Sequence, residues 1–109
     1  MKSYTDIEQS KKLKEILPIE SADMFYVYDR HLDKLYGDTP YPIGYKVLNE
    51  NVDIPCWSLA ALLEIISYPT LSQGYDSRWS CMNFPGNEEV EGCENPIDAC
   101  YELILNLRK

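Results

Sequence analysis

The chain has 109 residues, 45% of them hydrophobic and 26% charged, a composition that builds one domain with a real core and argues against a mainly disordered chain. Its formal charge of −8 is uneven: residues 1–46 hold seven Lys/Arg against eight Asp/Glu, while residues 47–109 hold three against ten. A field of that sign repels phosphate backbones, which disfavours direct nucleic-acid binding and suits a basic protein partner.

Taken in chain order, Thr5-Asp6-Ile7-Glu8 has the form of a capping box, so a helix is expected with Thr5 as its N-cap. Leu13, Ile16 and Leu17 share one face of it, and Pro18 ends it. Met24 to Tyr28 is aromatic and β-branched, the composition of a strand, and "DRHLDK" reads as a turn. Gly37 to Pro42 interrupts the return, which puts the second strand of a ragged hairpin at Ile43 to Leu48. The apolar run "IPCWSLAALLEIIS" reads as a helix with Asp53 or Ser58 as cap, Pro55 in the first turn and Tyr68-Pro69 as the stop. Trp57, Leu59, Leu62, Leu63, Ile65 and Ile66 cover nearly every direction around its axis, which makes it the expected central helix of the core.

Ser77 to Phe84 alternates as a half-buried strand does, and "PGNEEVEGCEN" reads as an acidic loop. Asn95-Pro96 then opens a helix whose apolar stripe is Ile97, Cys100, Tyr101, Ile104 and Leu107, with Asp98, Glu102 and Asn106 opposite. The fold class expected is α+β: a single small globular domain over residues 1–109, in the order α-β-β-α-β-α, with a small, mostly antiparallel sheet packed by helices.

The start of the chain carries no apolar segment of the secretory type, and the longest apolar run falls short of the ~20 residues a membrane span needs. A cytoplasmic location is therefore expected, with no membrane association. Cys56, Cys81, Cys93 and Cys100 read as free thiols, since their spacing has no C-x-x-C and the chain has one histidine. No cofactor or metal is expected.

Three segments, "ESADMFYV", "IPCWSLAALLEII" and "NPIDACYELILNLRK", resemble a large group of small uncharacterised proteins of Bacteroides-type gut bacteria and their phages or mobile elements. The resemblance spans most of the chain and implies a cytoplasmic, phage-derived context; it carries no activity, ligand or catalytic residue.

Candidate sites are few. Cys56 with His31 is the one Cys/His pairing available to a Cys-dependent hydrolase or transferase, with a small buried thiol and a solvated turn histidine as the plainer reading. No G-x-S-x-G stretch or glycine-rich phosphate cradle is present. Glu88, Glu89, Glu91, Glu94 and Asp98 lack the alternating ligands of a calcium loop and read as a solvated acidic segment, or as a decoy for the basic site of a nucleic-acid-binding enzyme. Tyrosines suit protein interfaces, and Tyr36, Tyr41 and Tyr45 around the broken hairpin are the expected contact patch, with Glu88, Glu89 and Glu91 as its acidic counterpart. The expectation is a non-enzymatic domain that binds a protein partner not identifiable from sequence.

Overall fold

A computed structural model describes residues 2–35, 37–44, 49, 52–83 and 88–108. Its contacts fall into two units, one of Thr5–Ser58 and one of Met1–Tyr4 with Leu59–Lys109. Helices near the start, middle and end, with antiparallel sheets between them, make the fold α+β as expected, with more strands than the sequence suggests.

In the Thr5–Ser58 unit, α1 (Ile7–Lys14) begins one residue later than expected. Asp6 is its N-cap: the Asp6 carboxylate accepts from Gln9 N at 2.8 Å, and Asp6 N donates to Gln9 Oε1 at 3.1 Å. Thr5 is unavailable because its own N–H donates to Trp57 O at 3.0 Å and its hydroxyl accepts from Trp57 N at 3.2 Å. The helix buries Ser10 and Leu13 and packs on β5 (Ile54–Cys56), while Lys11, Lys12 and Lys14 lie exposed in its last turn, where cations suit the dipole.

Strand β1 (Met24–Tyr26) is the centre of a three-stranded antiparallel sheet, between β4 (Tyr41–Pro42) and β5. Phe25 and Tyr26 are buried on it. Between β1 and β4 a short hairpin pairs β2 (Tyr28–Asp29) with β3 (Lys34–Leu35). The expected turn lies at its tip, where Asp29 Oδ1 accepts from His31 N at 2.9 Å and Leu32 N at 3.3 Å, an Asx arrangement. The expected strand at Ile43 to Leu48 is replaced at its start: Ile43 and Gly44 form a turn after β4, and residues 45–48 lie outside the described residues.

The main correction concerns the apolar run. Ile54–Cys56 is a strand, and α2 covers only Leu59–Ile65. Pro55 therefore sits opposite Phe25 on a sheet edge instead of in a helical turn, and Trp57 is off the helix although it is 0% exposed. Both positions spare proline its missing N–H, so local sequence does not choose between them.

The other unit holds α2, a three-stranded meander of β6 (Pro69–Gln73), β7 (Trp79–Asn83) and β8 (Glu89–Cys93), and α3 (Pro96–Leu107). The expected lone strand is thus the middle of three, and part of the expected acidic loop is β8. One extra residue on β8 between the Trp79↔Cys93 and Cys81↔Val90 pairs makes a bulge, with Gly92 at φ +75 where other residues would be strained. Helix α3 starts as the sequence predicts: Asn95 Oδ1 accepts from Asp98 N at 2.9 Å and Pro96 occupies the first turn. It packs on β7, β8 and α2 through Ile97, Ala99, Cys100, Leu103 and Ile104. Leu103 belongs to the buried stripe and Leu107, assigned to it from sequence, is 38% exposed. Among the described residues no helix is long and apolar enough to cross a membrane.

Candidate interaction surface

Sheet edges expose rows of backbone donors and acceptors, and proteins blunt them with proline, charge or brevity. Applied to the described strands, that rule leaves one edge open. β4 and β5 are two and three residues long and carry Pro42 and Pro55. The β2–β3 hairpin has two residues per strand with Asp29 and Lys34 among them. β8 carries Glu89 and Glu91, both exposed. β6 is five residues long, contains no charge and has proline only at its first position.

The register fixes what that edge offers. A three-residue turn with Ser77 at φ 65 closes the β6–β7 hairpin, through Gly74 N to Arg78 O at 2.9 Å and Ser77 N to Gly74 O at 3.1 Å. With hydrogen-bonded pairs alternating from that closure, Ser72↔Ser80 and Thr70↔Met82 exchange ladder bonds. The backbone groups of Leu71 and Gln73 then point away from β7, as does the carbonyl of Pro69. Four of the five β6 side chains are exposed, and two tyrosines flank the strand, Tyr68 at 77% and Tyr75 at 112% exposure.

The tyrosines and acids singled out from sequence are scattered by comparison. Tyr41 is half-buried on β4, its ring centroid 6.4 Å from that of Phe25. Tyr36 and Tyr45 lie outside the described residues. Glu88 is half-buried, its N–H donating to Asn83 Oδ1 at 3.2 Å, while Glu89 and Glu91 project from β8 with exposed side chains. Sequence reasoning passed over Tyr68 and Tyr75, yet Gly74-Tyr75-Asp76-Ser77 is a turn signature that would have placed Tyr75 at a hairpin tip.

The thiols occupy two settings. Cys56 is 0% exposed and its Sγ donates to Thr5 O at 3.3 Å, within a cluster where Thr5 and Ser10 hydroxyls meet at 2.8 Å and Tyr26 OH donates to Thr5 O at 2.7 Å. Burial pushes the Cys56 thiol up, opposed by hydrogen bonds from Thr5, Ser10 and Tyr26. His31 lies exposed in the β2–β3 turn. A thiol buried and raised in this way is poorly suited to nucleophilic attack.

Cys81 on β7 and Cys100 on α3 form the second setting, both 0% exposed with sulfurs 3.7 Å apart. The Cys100 thiol donates to Cys81 Sγ, which draws Cys81 below the ordinary thiol value and, together with burial, pushes Cys100 up. Cys93 at the end of β8 is half-buried, raised by burial and then by the negative Asp98 and Glu102. Among the described residues no three His, Cys, Asp or Glu side chains converge as a metal site requires.

Comparison of the chain with protein-family models, with curated proteins and with solved structures returned no match.

Proposed function

We propose that this chain is a non-enzymatic protein-binding module, cytoplasmic and accessory to a phage or mobile element, that adds an extended segment of a partner protein to the β6 edge. The observation that carries this reading is the combination on β6 of five uncharged residues, outward backbone groups at Leu71 and Gln73, and exposed tyrosines at both ends. Strand addition draws its affinity from such main-chain groups, and tyrosines add contact area at low entropy cost. The partner segment is basic. The unit that contains β6 holds eight Asp/Glu against four Lys/Arg (Lys2, Arg78, Arg108 and Lys109), so a second copy of the chain meets like charge and a Lys-rich strand meets its complement.

The test uses a synthetic strand peptide alternating lysine with valine or threonine, and an analogue with glutamate for lysine. With the lysine peptide the Leu71 and Gln73 amides gain at least tenfold protection from hydrogen exchange, and with the glutamate peptide they do not. Gln73→Pro removes an outward N–H that the β6–β7 ladder does not use, so it abolishes the protection while the protein stays folded. Peptide-induced changes confined to Glu89 and Glu91 would transfer the reading to an acidic decoy. Concentration-dependent dimers that protect the same amides without peptide would make a second copy the occupant, and no protection in any condition would overturn the proposal.

A further inference from the structure

Two of the four cysteines are placed as a pair that the binding role does not use. Cys81 projects from the middle strand of the meander and Cys100 from the facing turn of α3, and each is sealed from solvent with its sulfur 3.7 Å from the other. Their elements are held together by Ile97, Leu103 and Ile104, all at 1% exposure or less, so the sulfurs do not depend on a mobile loop to meet. Cys56 provides the contrast within the same chain: it is equally buried, but its hydrogen-bond neighbours are oxygens of Thr5.

We propose that Cys81 and Cys100 are a redox modification site that reacts with hydrogen peroxide to form an intramolecular disulfide. Cys81 is the attacking sulfur, since the Cys100 S–H hydrogen bond stabilises its thiolate. The thiolate takes one peroxide oxygen, the O–O bond breaks, and the departing hydroxide is protonated to water. The Cys81 sulfenic acid so formed is attacked by the Cys100 sulfur; the S–S bond forms, the S–O bond breaks, and the oxygen leaves as a second water with the Cys100 proton. The pair loses two electrons and two protons, and one peroxide is reduced to two waters. At 0% exposure neither sulfur meets any oxidant in the closed fold, so hydrogen peroxide reaches them during local opening of α3 from the meander, a route too narrow for a bulky disulfide. The link would tie α3 to β7 at Cys81, the residue that pairs with Leu71 of β6.

The experiment is hydrogen peroxide treatment of the folded full chain, followed by denaturing alkylation and peptide mapping. The expected result is a fall from four alkylatable thiols to two, a mass loss of two hydrogen atoms and a Cys81–Cys100 linked peptide that dithiothreitol releases. Cys93→Ser retains the link. Cys100→Ser loses it and leaves a Cys81 sulfenic acid trapped by dimedone. A wild-type chain that keeps Cys81 and Cys100 unlinked while Cys93 or Cys56 gains oxygen overturns the proposal, as does a link that joins Cys93 or Cys56 or two separate molecules. Because the wild type alone decides the matter, a poorly folding variant does not rescue it.

Discussion

The hydroxyl of Tyr26 donates to the carbonyl of Thr5 at 2.7 Å, joining the central strand of the first sheet to the residue that precedes the N-cap of α1. Tyr26 is 1% exposed and Thr5 0%, so water cannot replace this bond. Tyr26→Phe keeps the ring and removes the donor. A loss of about 1–2 kcal/mol in urea unfolding is expected, the usual cost of one buried hydrogen bond, with the Cys56 thiol left as the carbonyl's donor. A variant as stable as the wild type would show that the bond contributes nothing net.

Asp53 does a similar job with two bonds. Its carboxylate is 1% exposed and accepts from Tyr28 N and Asn49 N, each at 2.9 Å. Asp53→Ala strands both donors and should cost about 2–4 kcal/mol, since bonds to a charged acceptor are worth more than neutral ones. Chemical denaturation with an unchanged m-value checks this.

In the other unit the largest single loss is expected from Leu103→Ala. Leu103 is fully buried on the face of α3 that meets the meander and α2, and truncation there should cost about 2–5 kcal/mol. Asn95→Ala removes the N-cap of the same helix and should cost about 1 kcal/mol. Thermal unfolding that ranks the two in the opposite order would place the weight of α3 at its cap and not in its packing.

The raised Cys56 thiol has a consequence for pH. Burial keeps it protonated above its ordinary value of 9.0, while the unfolded chain ionises it near that value. The folded state then binds more protons than the unfolded one in alkaline solution, so this contribution is complete below about pH 9 and is lost as pH rises beyond it. Unfolding measured from about pH 8 to about pH 10.5 should show the wild type losing stability relative to Cys56→Ser. A constant difference across that range would mean that the thiol titrates alike in both states.

Local chemistry was readable from sequence wherever a segment carries its own stop and start signals. Asn95-Pro96 begins α3, Asp29 to Asp33 turns the short hairpin, and the burial of Trp57, Leu62 and Ile66 follows from the longest apolar run in the chain. The α+β class follows from the same signals. What needed the tertiary structure were the choices among local equals. Thr5 and Asp6 are both competent caps, and Asp6 serves because Thr5 pairs with Trp57, fifty-two residues away. Pro55 suits a helical first turn or a sheet edge, and its pairing with Phe25 decides for the edge. β6 and β8 lack apolar alternation, so only pairing with β7 makes strands of them. The candidate interface shares this origin: an open edge is a property of what lies beside a strand, and the two buried sulfurs meet because a helix folds back on a sheet, neither of which a linear pattern encodes.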